Sequence, residues 1–246
     1  MTNDVTKIYE MLLAHYGNPR WWPATANCAD NGLVQVENRE RFNAFLTNDE
    51  SDLKPIRRAS PYEVIVGAIL VQNTNWMNVE RAIANFGKRL SPKFVCSADM
   101  AELIEIIRPA GFYNQKAACL KATTDWFGKY GYDVAPAREQ PLESLRAELL
   151  NIRGIGNETA DCILLYALNM LTFVIDAYTM RIFNRIGLDI GQNYISAKAY
   201  FEAALPKCVD IYNNYHALIV IHSKTYCRKQ PKCDCCPLST LCQKFF

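Results

Sequence analysis

Apolar residues recur every three to four positions along most of the chain, and this spacing predicts α-helices. In "SPYEVIVGAILVQ" a serine followed by a proline provides a favourable helix start. The same period is found in "VTKIYEMLLAHYG", "NRERFNAFLTND", "NVERAIANFGKRL", "MAELIEIIRPAG", "NQKAACLKATTDWFGKYG", "PLESLRAELLNIRGIG", "TADCILLYALN", "AYTMRIFNRIGL", "SAKAYFEAALPK" and "VDIYNNYHALIVIHSKTYC". The β-branched stretch "LTFVID" has no partner strand, so we expect a short extended link there. The pattern therefore predicts an all-α fold.

Length and charge leave several classes of protein open. The 246 residues can form one or two domains, and a composition that is 50% hydrophobic and 21% charged is typical of globular proteins. The formal net charge is only +2, so any basic surface for a polyanion must be local. The N-terminus does not resemble a signal peptide, and no apolar run reaches the ~18 residues of a membrane span. We expect a cytoplasmic protein without membrane contact.

Ten cysteines are present, and their distribution predicts a metal site. Four of them, Cys227, Cys233, Cys236 and Cys242, have the spacing C-x5-C-x2-C-x5-C, which Cys235 does not fit. Without a secretory signal, a disulfide set is disfavoured. Four thiolates can surround one zinc ion or a [4Fe–4S] cluster, and spacing alone leaves both open.

The segment "LRAELLNIRGIGNETADCILLYA" predicts two helices joined by a tight turn. Gly154 and Gly156 permit a close backbone approach, and the free amides of the second helix can point at a phosphate. An ordinary helical hairpin with glycine caps is the alternative. Further along, Asp176 stands at the start of another helix, where it could be a catalytic carboxylate, an N-cap, or both.

Together these segments resemble the helix-hairpin-helix DNA glycosylases, a superfamily typified by endonuclease III. The likeness covers roughly residues 55–242 and rests on "GAILVQNTNWMNVERAI", "GFYNQKAACL", the G-I-G turn followed by Asp176, and the cysteine loop. It is closest to the type III 3-methyladenine glycosylases, matched by the segments around Trp21–Trp22–Pro23, Gln72–Asn73–Thr74 and Arg108–Ala117. Glu158 stands where endonuclease III has a lysine. The cysteine loop departs from the type III pattern.

The resemblance implies two helical lobes with a flipped base held in the cleft between them. One lobe is a six-helix barrel over 55–170 that includes the hairpin. The other combines 1–54 with 171–246 and carries the loop 227–242, for which the resemblance favours a [4Fe–4S] cluster over zinc. The implied partner is double-stranded DNA containing a damaged base. We expect a nucleoid-associated monomer.

The resemblance also assigns roles to individual residues. Asp176 would stabilise positive charge on the sugar and orient a water molecule. Glu158 cannot form the Schiff base that the lysine forms, so we expect a monofunctional enzyme without AP-lyase activity. A pocket for a cationic base would be formed by Glu158, Trp21, Trp22 and Tyr62. Alternatively, Glu158 is a first-turn acid and the aromatic residues are packing.

A second set of residues would contact the duplex. Gln72 would fill the gap left by the flipped base and Phe112 would act as a wedge, although Phe112 could equally belong to the core. Lys116, Arg153 and Lys224 would contact phosphates unless they are plain surface charges, and Gly154 and Gly156 would bring the hairpin backbone to the DNA.

The function predicted from the sequence is hydrolysis of the N-glycosidic bond of alkylated purines such as 3-methyladenine, in base excision repair. Two alternatives stay open. One is a glycosylase of the endonuclease III type, acting on oxidised, deaminated or mispaired bases. The other is a catalytically silent protein that binds DNA structure through the hairpin.

Overall fold

The computed structural model describes residues 4–19 and 59–244, and within these ranges every regular element is a helix. This confirms the all-α prediction. The predicted helix "NRERFNAFLTND" and the residues Trp21 and Trp22 lie outside the described ranges. The α-helices are α1 (Asp4–Tyr16), α2 (Pro61–Leu70), α3 (Trp76–Phe86), α4 (Pro92–Ser97), α5 (Met100–Ile107), α6 (Tyr113–Gly128), α7 (Val134–Arg138), α8 (Leu142–Leu150), α9 (Asn157–Cys162), α10 (Ala177–Ile186), α11 (Tyr194–Ala204) and α12 (Val209–Thr225).

The described residues divide into two compact units, 59–170 and 4–19 with 171–244. In the first unit, α2 is the central helix because every residue from Tyr62 to Leu70 is buried. It packs against α6 and against the helical turn that follows α9. Because α2 is buried along nearly its whole length, the surrounding helices enclose it.

The second unit is centred on α12, which is buried from Tyr215 to Ser223 and packs against α1 and α10. An aromatic cluster fills its core, where the rings of Phe173 and Phe201 stack with centroids 4.5 Å apart. Phe173 belongs to the predicted link "LTFVID", which forms neither a helix nor a strand. Phe173, Val174 and Ile175 are all buried, so the link runs through the interior of this unit.

Polar caps fix several helix starts. Ser60 accepts a hydrogen bond from the Glu63 amide at 3.2 Å, and Pro61 opens α2, as the sequence predicts. Asn75 caps α3 in the same way. Among the described residues no helix is long and apolar enough to span a membrane.

The second hairpin helix differs from its prediction. The sequence predicts one α-helix through "TADCILLYALN", whereas the α-helix ends at Cys162 and a π-helical turn follows over Ile163–Ala167. The Leu168 amide donates to the Ile163 carbonyl at 3.1 Å, a five-residue step that defines this turn. All five residues of the turn are apolar and buried, so their spacing carries no period that would reveal it.

Candidate active site

The hairpin turn between α8 and α9 contains two glycines with different backbone requirements. Gly154 has a φ of +99°, and a Cβ there would lie 3.3 Å from the side chain of Cys119. Gly156 has a φ of −99°, and a Cβ there would meet nothing within 4 Å. Gly154 is therefore required by the fold, whereas the open space at Gly156 leaves room for another molecule to approach the backbone.

A buried ion pair joins the two helices of the hairpin. Arg146 on α8 donates to both carboxylate oxygens of Asp161 on α9, at 3.0 and 3.1 Å, and to the Asn157 side chain at 2.8 Å. The Asp161 side chain is fully buried. These bonds fix the angle at which the hairpin turn leaves the unit.

Asp176 occupies the N-cap of α10 in the other unit. Its Oδ1 accepts hydrogen bonds from the amide and the hydroxyl of Thr179, at 2.7 and 2.8 Å. The capping role expected as an alternative is therefore present. Since both bonds go to Oδ1, the second carboxylate oxygen takes no part in the cap.

That second oxygen faces a histidine. Oδ2 of Asp176 lies 3.6 Å from Nε2 of His216 on α12, and both side chains are buried. Burial by itself would raise the pKa of Asp176, but His216 and the Thr179 donors hold the pKa below its usual range. Half-buried Lys224 also feels this charge: burial lowers the pKa of its ammonium, while Asp176 acts to raise it. The site maintains a buried, ionised carboxylate.

Gln72 is bound to the hairpin. It follows the end of α2, and its side-chain amide donates to the Gly154 carbonyl at 3.0 Å and to the Thr159 hydroxyl at 2.9 Å. Insertion of this side chain into a duplex would require both bonds to break. The structure thus brings Gln72 together with the glycines of the hairpin, as the sequence groups them.

Phe112 is presented to solvent on a constrained turn. Its side chain is 62% exposed, and both Gly111 and Phe112 have left-handed backbone conformations, with φ values of +68° and +47°. This conformation is uncommon for a bulky residue and requires support from the surrounding structure. The ring therefore does not belong to the core, and its role as a wedge stays a prediction.

Two predicted site residues are buried inside the first unit. Tyr62 is 6% exposed, its ring stacks on Phe127, and its hydroxyl bonds that of Thr124 at 2.8 Å. Lys116 is 3% exposed, and its ammonium donates to the carbonyls of Leu70 and Ala110. Contact with a base or a phosphate would require either side chain to leave these partners. Arg153 and Glu158, in contrast, are exposed on the hairpin.

The four predicted metal-ligating cysteines line one cavity at the end of the chain. Among the described residues, no three His, Cys, Asp or Glu side chains lie close enough to share a single metal ion. Two further side chains reach the sulfur atoms: His222 Nε2 lies 3.6 Å from Cys236 Sγ, and an Arg185 guanidinium nitrogen donates to Cys227 Sγ at 3.5 Å. Thiols gathered around a shared cavity, with polar side chains at their sulfur atoms, fit a thiolate-bound cluster.

The sequence reasoning missed two residues beside the candidate site, His216, which faces Asp176, and Arg146, which joins the hairpin helices. Forty positions separate His216 from Asp176, and no local motif connects them. Arg146 resembles an ordinary charged residue on the outer face of α8. The signal that could have revealed it was the position of its partner, since Asp161 stands within the apolar run of the next helix.

The chain is similar to known proteins. Residues 66–207 match the HhH-GPD superfamily of base excision DNA repair proteins. A protein of Methanocaldococcus jannaschii provisionally named as a DNA repair glycosylase is 44% identical over 97% of this chain and 95% of its own length. The chain therefore belongs to the HhH-GPD superfamily of base excision repair proteins, and it is a DNA-binding glycosylase.

Solved structures agree with this assignment. The 3-methyladenine DNA glycosylase of Helicobacter pylori, bound to 1,N6-ethenoadenine, is 25% identical, with a TM-score of 0.57 over 77% of this chain and 98% of that one. A trapped endonuclease III–DNA intermediate, at 20% identity, has a TM-score of 0.65 over 86% of this chain and 97% of that one. The latter establishes the fold.

Proposed function

We propose that the protein is a monofunctional DNA glycosylase that removes alkylated purines. The observation that carries this proposal is a buried carboxylate, Asp176, held ionised in a chain whose hairpin presents Glu158 in place of an amine. The likeness to a 3-methyladenine glycosylase supports the substrate class.

Asp176 would act through its charge. As the bond between the base and C1′ breaks, positive charge develops on the sugar, and a nearby carboxylate stabilises that charge. Water then adds to C1′ and loses a proton, while the base leaves with the electron pair of the broken bond. An N3-alkylated adenine carries a positive charge before cleavage and leaves as a neutral molecule, so it needs no acid to protonate it.

Glu158 would select for the same class of base. An exposed carboxylate on the first turn of α9 attracts a cationic base more strongly than a neutral one. A carboxylate cannot form an imine with the sugar, so strand cleavage by the Schiff-base route is not expected at this position. With Tyr62 buried in the core, aromatic contacts to the base would come from Trp21 and Trp22.

The duplex would be held by the first unit. Phe112 would enter the base stack beside the lesion and Gln72 would occupy the vacated space, so that both side chains replace the stacking and pairing that break when the nucleotide flips. Arg153 and the backbone at Gly156 would bind phosphates, since both are exposed on the hairpin turn.

We also propose that Cys227, Cys233, Cys236 and Cys242 bind a [4Fe–4S] cluster. The four cysteines line one shared cavity, and the resemblance of their loop to that of endonuclease III favours a cubane over zinc. The cluster would be structural, and it would present the exposed residues Arg228, Lys229 and Lys232 to the DNA backbone. Iron and acid-labile sulfide in equal amounts after anaerobic purification would support it, and bound zinc alone would refute it.

The substrate proposal is tested by incubating the protein with methylated duplex DNA and identifying the released bases by chromatography. We expect 3-methyladenine from the wild type and none from Asp176→Asn, without strand cleavage. Glu158→Gln should slow release of the cationic base more than release of neutral ethenoadenine. If alkylpurines are retained but oxidised, deaminated or mispaired bases are excised, the alternative of an endonuclease III-type glycosylase holds. If DNA is bound and no base is released, the protein is a silent binder.

A further inference from the structure

Lys116 makes contacts that differ from those of a surface lysine. Its ammonium donates to the Leu70 carbonyl at 3.0 Å and to the Ala110 carbonyl at 2.7 Å, and the residue is 3% exposed. Burying a charged amine is costly, and an apolar side chain of the same length would fill this space at lower cost. The ammonium group is retained at a place where it donates hydrogen bonds to two carbonyls at once.

These two carbonyls belong to the two segments proposed to enter DNA. Leu70 is the last residue of α2, whose final carbonyls lack partners within the helix, and Gln72 follows two positions later. Ala110 ends the short 3-10 turn Arg108–Ala110, and Phe112 follows two positions later. One buried ammonium therefore joins the base of the Gln72 loop to the base of the Phe112 turn.

The backbone of the same residue supports the wedge as well. The Lys116 amide donates to the Phe112 carbonyl at 3.0 Å, which closes the first turn of α6 behind the left-handed residue. Gln72 in turn bonds the hairpin through Gly154 and Thr159. The wedge turn, the Gln72 loop and the hairpin thus form one connected set, with Lys116 at its centre.

We propose that Lys116 is a positioning residue that fixes the spacing between Phe112 and Gln72, so that both reach the gap left by a flipped nucleotide. This inference rests on the proposed roles of those two residues in DNA. In this proposal Lys116 would act from within the first unit without touching base or phosphate, in place of the phosphate contact expected from the sequence.

The chain provides a matched control on the same helix. Half-buried Lys121 also donates to two carbonyls, those of Cys96 at 3.2 Å and Ala98 at 2.6 Å. Those carbonyls lie at the end of α4, away from both loops in sequence. Lys121→Met therefore removes a similar clamp of α6 and leaves the Gln72 and Phe112 segments joined.

The experiment compares affinity for a duplex containing a tetrahydrofuran abasic site with affinity for the intact duplex. An abasic duplex makes the result independent of which base the enzyme removes. We expect the preference of Lys116→Met for the abasic duplex to be about tenfold lower than that of the wild type, which is the size expected for lost hydrogen bonds from a charged donor. Its affinity for the intact duplex should be unchanged. Lys121→Met should keep the preference. In the Lys116→Met background, Phe112→Ala should reduce the preference for the abasic duplex by less than it does in the wild type, because the wedge is already misplaced.

Each outcome decides the matter. An unchanged preference in Lys116→Met, or an equal loss in Lys121→Met, overturns the inference while the proposed function stands. A wild type without any abasic preference overturns the wedge and the inference together. If Lys116→Met does not fold, Lys116→Gln is used in its place, because its amide keeps two N–H donors without the charge. That variant should lose part of the preference because its donors are uncharged and its side chain is shorter, and a preference equal to that of the wild type contradicts the proposal.

Discussion

Nε2 of His216 lies 3.6 Å from Oδ2 of Asp176, and the partner oxygen Oδ1 is bound by Thr179. One oxygen therefore keeps the helix cap while the other faces an imidazole. This division holds the carboxylate in a single orientation and lowers its pKa. We expect His216→Ala to raise the pKa of Asp176, because burial raises this pKa and one of the two residues that lower it is then removed.

This variant should slow base excision by roughly tenfold at neutral pH, within the range of effects seen when a catalytic group is misplaced. Its rate should also fall at a higher pH than that of the wild type as the solution is acidified, since the carboxylate takes up a proton sooner. Single-turnover excision measured from pH 4 to pH 8 tests this. His15→Ala, at an exposed histidine, should follow the wild type. If the rate of His216→Ala falls over the same acidic pH range as that of the wild type, His216 does not affect the pKa of Asp176.

The ion pair beneath the hairpin should contribute strongly to stability. Arg146→Met removes the guanidinium that binds both oxygens of the buried Asp161 carboxylate, so we expect the free energy of unfolding to fall by about 3–5 kcal/mol. Replacing both, as Arg146→Met with Asp161→Leu, should restore much of the loss. Urea denaturation is the measurement. Arg89→Met, which removes an exposed pair with Glu102, should cost less than about 1 kcal/mol. Equal losses from the two single variants would contradict the prediction.

Substitutions at the two hairpin glycines should affect different properties: at Gly154 the stability of the fold, and at Gly156 the affinity for DNA. Gly154→Ala forces a side chain into a left-handed conformation and against Cys119, so we expect a loss of about 1–3 kcal/mol of stability. Gly156→Ala meets open space and should leave the thermal midpoint nearly unchanged. If phosphates approach this backbone, Gly156→Ala should nevertheless weaken duplex binding several-fold. Undiminished affinity in Gly156→Ala would place the DNA elsewhere.

Buried Lys116 should change how the stability of the protein depends on pH in alkaline solution. Burial lowers the pKa of Lys116 to about 8, whereas the ordinary value of 10.5 applies in the unfolded chain. Between these two values the unfolded state binds more protons, so the contribution of Lys116 to stability should rise with pH from about 8 to 10.5. The difference in urea midpoint between the wild type and Lys116→Met isolates this contribution from other titrating groups. A difference that stays constant over the window would contradict the lowered pKa.

Local features of this fold could be predicted from the sequence. Apart from the second helix of the hairpin, the predicted helices that fall within the described residues depend on neighbouring residues, and so do the cap at Ser60 and the short link before Asp176. The structure contains these features. The capping role of Asp176 followed from its place before "AYTMRIF". These predictions succeed because helix periodicity and capping act over a few residues.

Longer-range features could not be predicted in this way. Lysine is usually a surface residue, so nothing around Lys116 revealed that two distant carbonyls need its charge. Tyr62 resembled a pocket aromatic, but its partners Thr124 and Phe127 come from another helix. Contacts of this kind depend on how helices pack, and the spacing of apolar residues does not encode which polar atoms meet.

The π-helical turn at Ile163–Ala167 affects how this sequence should be aligned with others. A π-turn accommodates about one residue more than an α-turn over the same rise. A relative with an uninterrupted helix here would therefore need one residue fewer between its counterparts of Glu158 and Asp176. A single-residue gap at this place in an alignment would then mark a real difference in backbone geometry, and closing it would shift Asp176 out of register.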